Sequence, residues 1–335
     1  MSRIVGIDYA KGIAIIALLI SHTLAGGGVR IYISSWNMPI FFVICGILQY
    51  LRYPQGISFQ KFSFWFQHRA NQIFIPYFFF GFLYILFIQS LSFLSGEEFE
   101  LKSGCLLLIS MQGVVSLWFL PVFFFSELLY AFGVAKLSRP WQICVMLLII
   151  AVLVCLQYTG IPKSWLLRLM LKIMIALAFV ISGATIVARL LQLSYKLLYL
   201  VIGLIVVSFV GFYNGFVGIG ALELGNVFIF FTTGVALSFL IIEIMHVLGK
   251  ERTSTFWKLL ALWGANSIVV LVTNNLLIEI FRLIEYRLFN DFFVTHGLIG
   301  GLLMTLILLV PEYILIRLAH GKWSQLFGKK RSKMF

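Results

Sequence analysis

The first apolar segment, residues 4–25, most constrains what this chain can fold into. It is long enough to cross a bilayer, because about 20 apolar residues with a rise of about 1.5 Å each cover the hydrocarbon core. The segment nevertheless contains Asp8, Lys11 and His22. Ionisable side chains within a membrane span are costly, and they normally face a protein interior or a water-filled cavity. The segment therefore predicts a membrane protein whose first helix lines a polar site.

The three ionisable side chains share one face of this predicted helix. At about 100° per residue, Lys11 and His22 lie about 20° apart around the helix axis, and Asp8 and His22 about 40° apart. Asp8 and Lys11 are about one turn apart and can form an ion pair, whereas His22 lies about 16 Å further along the axis than Lys11. This polar stripe is the strongest indication of function in the sequence.

Composition extends the same conclusion to the whole chain of 335 residues. It is 61% hydrophobic and only 11% charged, with a mean hydropathy of +1.04, whereas soluble domains are about 25% charged. We therefore expect an all-α polytopic membrane protein forming a single domain over residues 1–335, with the bilayer as its surroundings. The apolar runs predict about ten transmembrane helices, at 4–25, 31–51, 73–95, 113–134, 141–158, 166–188, 197–213, 225–247, 259–281 and 293–318.

The net charge of +13 is explained by membrane topology. The basic residues are scattered between apolar spans without a nucleic-acid-binding motif, so no nucleic acid partner is expected. With both termini in the cytoplasm, most of them fall on the cytoplasmic side, as the positive-inside rule requires. The four cysteines lie in apolar runs without metal-binding spacing, and we expect neither disulfides nor a metal site.

The longest predicted cytoplasmic link, residues 52–72, is basic and aromatic. It has two interpretations. It can rest on anionic lipid headgroups as an interfacial segment. Alternatively, it forms a phosphate-binding mouth in which Arg69, at the start of the third span, contacts an anionic substrate.

Short motifs along the chain occur in a recognisable order. They comprise Arg3, Asp8, Lys11-Gly12 and His22, then Met38-Pro39, Phe41-Phe42 and Gly46, then Arg69 and Pro76-Tyr77, then Leu117 to Pro121, Gly225-Asn226, and Gly264, Asn266 and Ser267. In this order they resemble acyltransferase family 3, the membrane O-acyltransferases that modify surface polysaccharides, and within it the fucose-4-O-acetylase-like branch. The resemblance covers most of the chain and implies about ten spans.

The sequence departs from that family in two places. Gln72 stands where relatives often have a second basic residue before the proline, and Asn274 lies where many relatives have a histidine after the Asn-Ser pair. If that histidine helps to bind the acceptor, an amide serves here instead. An altered acceptor or a slower enzyme would follow.

His22 is the first of three candidate catalytic residues, and the other two are Asp8 and Glu127. Its unperturbed pKa of about 6.5 suits proton transfer from a sugar hydroxyl near neutral pH, and it could alternatively carry the acyl group as a nucleophile. The non-catalytic interpretation is a histidine at the outer membrane interface. The resemblance favours catalysis.

The charged groups near the cytoplasmic end are candidates for binding the donor. Asp8 and Lys11 form either a structural ion pair or, as the resemblance implies, part of a cofactor channel. Arg3 and Arg69 are candidates for the phosphates of the donor, and either could equally be a positive-inside anchor.

The remaining candidates lie within later spans. Glu127 is an intramembrane carboxylate that could orient His22, whereas Glu243 and Glu279 are expected to reach water near span ends. Trp118 and Phe119 are packing aromatics or, by the resemblance, line the substrate pocket. The candidates for the acceptor site on the ninth span are Asn266, Ser267 and Asn274.

Together these features predict an acyl-CoA-dependent O-acetyltransferase of the bacterial inner membrane. It would move an acetyl group from cytoplasmic acetyl-CoA to a hydroxyl of a surface polysaccharide or lipid-linked sugar, without a bound cofactor. The alternative is a transporter or flippase that moves a sugar, lipid or acyl compound without chemistry. A third possibility is a degenerate relative that acts as a scaffold.

Overall fold

The computed structural model describes residues 5–95, 101–250, 254–289, 291–321 and 323–328. These residues form an all-α protein. Its helices are α1 (Val5–Thr23), α2 (Gly28–Ser34), α3 (Pro39–Arg52), α4 (Phe62–Leu94), α5 (Leu101–Ile109), α6 (Phe119–Phe132), α7 (Arg139–Thr159) and α8 (Trp165–Ser182). They continue with α9 (Ala188–Leu190), α10 (Leu197–Tyr213), α11 (Val227–Gly249), α12 (Thr255–Ala265), α13 (Ser267–Leu288), α14 (Phe292–Thr295) and α15 (Gly297–Leu318).

Eight helical segments within the described residues are long and apolar enough to cross a membrane. They correspond to α2–α3, α4, α6, α7, α8–α9, α11, α13 and α15. The other two predicted spans are also helices, namely α1 and α10. The charges of α1 and the 17-residue length of α10 set them apart from the eight. The polytopic all-α prediction is confirmed.

Two predicted spans are interrupted. Residues 35–38 separate α2 from α3, so that Pro39 begins a helix instead of kinking one. This follows from the ring of proline, which fits the first helical turn because no intrahelical hydrogen bond is needed there. The predicted span 259–281 is likewise divided at Asn266, and its second part, α13, continues to Leu288.

The link predicted over residues 52–72 is partly helical. A short 3₁₀ turn, Phe59–Lys61, leads directly into α4, which starts at Phe62 and not at the predicted residue 73. At 33 residues α4 is about 50 Å long, which exceeds the roughly 30 Å hydrocarbon core. The short helix α5 was not predicted at all.

The described chain divides into two compact units. Unit 1 comprises Met1–Ser21, Gly26–Phe62 and Phe125–Ala265, and unit 2 comprises His22–Ala25, Ser63–Phe124 and Asn266–Phe335. Within unit 1, α1 and α12 approach each other through two glycines. A Cβ added to Gly264 would lie 2.8 Å from the Gly12 nitrogen and still closer to the Asp8 carbonyl oxygen. A side chain at either position would push the backbones apart.

A second close crossing in unit 1 joins α3 to the end of α8. A Cβ at Gly46 would lie 2.8 Å from the Val180 carbonyl carbon, and one at Gly183 would lie 2.9 Å from the Val43 carbonyl carbon. Small residues at helix crossings let the two backbones pack closely. Within a membrane this packing stabilises the helix pair, because lipid tails are as apolar as the side chains and the hydrophobic effect does not drive helices together. A π-helical turn, Gly183–Val187, follows directly.

Unit 2 is built around α13, α14 and α15. Ile278, Met304 and Leu308 form a buried cluster with Phe293 of α14. The Glu285 carboxylate accepts a hydrogen bond of 2.6 Å from the Phe293 backbone N–H, which ties the start of α14 to α13.

Candidate functional site

Asp8 and Lys11 form an ion pair on α1. The Lys11 Nζ lies 2.8 Å from Asp8 Oδ1, and the two side chains are 21% and 9% exposed. The predicted spacing of one turn therefore brings the two groups into contact. The backbone carbonyl of Asp8 packs against Gly264 of α12. The pair is thus held at a tight helix crossing in unit 1.

His22 lies in the last turn of α1, at the first position of unit 2, and is half-buried. Its neighbour Thr23 contacts Thr305 of α15, with 2.8 Å between the hydroxyl oxygens. The Thr305 hydroxyl also lies 2.9 Å from the Gly301 carbonyl oxygen of its own helix. The side chain of Leu24 packs against Gly301 as well. The end of α1 that carries His22 is therefore anchored on α15.

Glu127 is buried on α6, at 5% exposure. Its Oε1 accepts a hydrogen bond of 2.6 Å from the Gln49 side-chain amide of α3. Both residues belong to unit 1. Gln49, which the sequence analysis did not single out, thus holds the Glu127 carboxyl group in place.

Arg69, near the start of α4, contacts Gln72 and Phe123. Its Nη1 donates to the Gln72 side-chain oxygen at 3.0 Å, and its guanidinium lies 5.4 Å from the centre of the Phe123 ring. The Gln72 amide nitrogen lies 3.1 Å from His68 Nε2. Gln72 thus connects Arg69 to His68 and holds the guanidinium over an aromatic face, an arrangement suited to a fixed cation.

The aromatic candidates begin a helix in unit 2. Trp118 ends a 3₁₀ turn and is half-buried, and Phe119 starts α6 and is 5% exposed. Just before them, the Ser116 hydroxyl accepts a hydrogen bond from the Asn275 side-chain amide of α13. Asn275, one residue beyond the candidate Asn274, therefore docks α13 onto the turn that carries Trp118.

The polar candidates of the predicted ninth span lie at the start of α13 and within it. Asn266 is 3% exposed at the break between α12 and α13, and Ser267 is the first residue of α13. Asn274 is fully buried within α13, and neither atom of its side-chain amide has a hydrogen-bond partner among the described residues. A buried amide without partners is rare and normally marks an internal water or a ligand.

Sequence analysis missed Glu312 of α15. It is fully buried, and its Oε2 lies 2.7 Å from the Thr273 hydroxyl of α13. That hydroxyl also lies 2.9 Å from the Val269 carbonyl oxygen, and its single hydrogen can serve only one acceptor at a time. When it is donated to Val269, a protonated Glu312 must supply the hydrogen between the two side chains. The sequence could have indicated Glu312, because a carboxyl group within an apolar span is a candidate functional residue.

The prediction that Glu243 reaches water is wrong. It is only 4% exposed on α11, and its Oε2 is buried without a partner among the described residues. It lines a partly open cavity of about 190 Å³ in unit 1, together with Ile7, Ile47 and Ala188. The prediction failed because nearness to a helix end does not guarantee exposure when neighbouring helices pack around that end.

A family model described as an acyltransferase domain, that of acyltransferase family 3, matches residues 4–315. This chain belongs to acyltransferase family 3. Searches of curated proteins and of solved structures found no match. The protein is therefore a multi-pass membrane acyltransferase. Arg3, a candidate for binding the donor, precedes the matched range and lies outside the described residues.

Glycines from three of the motifs that carry the resemblance have a structural role. Gly12 and Gly264 belong to the α1–α12 crossing. Gly225 has a φ of +59°, which glycine adopts without strain. The following Asn226 caps α11 by accepting a hydrogen bond of 3.1 Å from the Ile229 N–H. These positions build the frame of the acyltransferase, whereas the polar stripe on α1 carries groups that can do chemistry.

Proposed function

We propose that this acyltransferase moves an acetyl group from cytoplasmic acetyl-CoA to a hydroxyl of a surface polysaccharide or lipid-linked sugar. We further propose that it belongs to the fucose-4-O-acetylase-like branch, and that it lies in a bacterial inner membrane with both termini in the cytoplasm. The observation that carries the proposal is that one continuous helix, α1, has an ion pair near its start and a half-buried histidine at its end.

His22 is proposed as the general base. Its imidazole takes the proton from the acceptor hydroxyl while the hydroxyl oxygen attacks the thioester carbonyl. The carbon–sulfur bond then breaks, and the imidazolium returns the proton to the departing thiolate. Imidazole suits both steps because it gains and loses a proton near neutral pH. The anchoring of Thr23 on Thr305 supports this role, since it fixes the backbone next to His22.

The charged groups are proposed to bind the donor. Arg69 and Arg3 would contact phosphates, for which a guanidinium provides paired donors. The Asp8–Lys11 pair would line the path of the thioester, and Glu127 would support the site through its fixed carboxylate. Trp118, Phe119, Asn266, Ser267 and Asn274 are proposed to form the acceptor site.

The donor side is tested with membrane vesicles of both orientations. Acetyl-CoA with a labelled acetyl group is supplied outside inside-out vesicles and outside right-side-out vesicles, and free CoA thiol and labelled glycan are measured. The proposal predicts thiol release and labelled glycan with inside-out vesicles only. Label that moves without release of thiol would indicate a transporter. Equal transfer with both orientations would contradict a cytoplasmic donor.

A further inference from the structure

The cavity that contains Glu243 lies at one end of unit 1. The start of α1 contributes Ile7 to it, the end of α3 contributes Ile47, and α11 contributes Ile242 and Glu243. These four residues are buried. The mouth is more polar, because Gln192 and His246 line the cavity and are themselves exposed. The cavity is therefore mainly apolar, with exposed polar groups among its lining residues and one buried carboxyl group.

Glu243 requires a hydrogen-bond partner that the described protein does not supply. Its buried Oε2 has none, and a buried acceptor without a partner keeps the full cost of its lost hydration. A purely apolar occupant, such as a lipid acyl chain, would leave that cost in place. The occupant that fits carries an N–H or O–H group on an otherwise slender chain.

The size of the cavity limits the occupant further. An engineered cavity of about 150 Å³ holds a benzene molecule, so about 190 Å³ accommodates one short chain segment. It cannot accommodate a nucleotide. Outside the mouth, Arg52, Arg189 and Lys250 are exposed within a few residues of the lining positions. The surroundings thus favour a slender, donor-bearing chain attached to an anionic head.

We propose that this cavity receives one segment of the pantetheine arm of the donor, with Glu243 accepting a hydrogen bond from an amide N–H of that segment. The inference rests on the proposed function, in which acyl-CoA is the donor. Coenzyme A has the required chemistry, because an amide-containing chain joins its thiol to a phosphorylated adenosine diphosphate. The phosphates remain outside the cavity, and the arm enters between α1, α3 and α11.

The test compares two ligands that differ in the arm. Binding of acetyl-CoA and of adenosine 3′,5′-bisphosphate, which lacks the arm, is measured by calorimetry on the full-length protein in detergent. Glu243→Leu is expected to weaken acetyl-CoA binding about tenfold, as loss of one hydrogen bond implies. Binding of the bisphosphate is expected to stay unchanged. Glu243→Gln, which keeps an acceptor oxygen, is expected to lose less affinity.

Glu223→Gln serves as the matched control, because Glu223 is an exposed carboxylate in the same unit. Unchanged acetyl-CoA affinity in Glu243→Leu, with transfer intact, would overturn this inference and leave the proposed function standing. Equal losses for both ligands would show a structural role and also overturn it. Displacement of acetyl-CoA by a lysophospholipid in wild type but not in Glu243→Leu would identify a lipid site instead. Wild type that neither binds acetyl-CoA nor transfers from it would refute the proposed function itself.

Discussion

The crossing of α1 and α12 predicts a large effect from a single methyl group. In Gly264→Ala, the new Cβ would lie 2.8 Å from the Gly12 nitrogen and closer still to the Asp8 carbonyl oxygen. Ordinary contacts begin at 3.4 Å, so the Asp8 carbonyl has to recede by at least about 1 Å. The clashing atoms belong to the backbone of α1, which cannot rotate away as a flexible side chain can. The two helices must therefore separate.

The cost follows from the packing that this separation disrupts. Overpacking a well-packed core costs about 1–3 kcal/mol, and a backbone clash belongs at the upper end of that range. A destabilisation of about 3 kcal/mol lowers the melting temperature by roughly 6–12 °C, on the scale of a domain of about 200 residues. Since Asp8 moves with its carbonyl, the ion pair with Lys11 shifts too, and acyl transfer is expected to fall.

The assay is thermal unfolding of detergent-solubilised protein, followed by fluorescence or by loss of the monodisperse chromatographic peak. Gly26→Ala is the matched control, because it is the same substitution at an exposed glycine with nothing within 4 Å of the added methyl group. We expect a melting temperature close to wild type for the control and a clear decrease for Gly264→Ala. Equal melting temperatures in the two variants would refute the close crossing.

Three further variants test individual hydrogen bonds. Gln49→Leu deprives the buried Glu127 carboxylate of its amide donor and is expected to cost about 1–3 kcal/mol in thermal unfolding; wild-type stability would contradict the bond. Thr273→Val, which removes the hydroxyl next to Glu312, is expected to destabilise the protein by a similar amount while Thr273→Ser does not; identical effects would show that only the shape matters. Asn226→Ala removes the cap of α11 and is expected to cost about 1 kcal/mol, with Asn226→Ser close to wild type.

The helical architecture was predictable because apolar length determines which segments can cross a membrane. Hydropathy also located α1 and its polar stripe, since Asp8, Lys11 and His22 are conspicuous in an apolar run. It could not locate the helix break at Asn266, because a short interruption within a long apolar segment leaves the average hydropathy almost unchanged. The early start of α4 was missed for the opposite reason, since residues 62–72 are too polar for a hydropathy window but still helical.

The partners of the polar groups depend on tertiary packing. One-turn spacing was sufficient to predict the Asp8–Lys11 pair, which is local. In contrast, Gln49 and Glu127 lie far apart in sequence, and so do Thr273 and Glu312. Periodicity assigns such residues to a helix face, but it does not say which other helix packs there.

The importance of Glu243 was underestimated for a related physical reason. Its position near the end of α11 indicated access to water, yet the start of α1 and the end of α3 close around it. A helix end is exposed only if no neighbour ends at the same level. The sequence does not show at which level neighbouring helices end relative to one another.

The role of His22 is the central claim and is tested directly by acetyl transfer in inside-out vesicles prepared with native acceptor glycans. Wild type is compared with His22→Gln, and with His296→Gln as a control at an exposed histidine of the same unit. The account predicts labelled glycan with wild type and with His296→Gln, and a loss of at least about 100-fold with His22→Gln, the scale of general base catalysis. Undiminished label on the glycan with His22→Gln would contradict it.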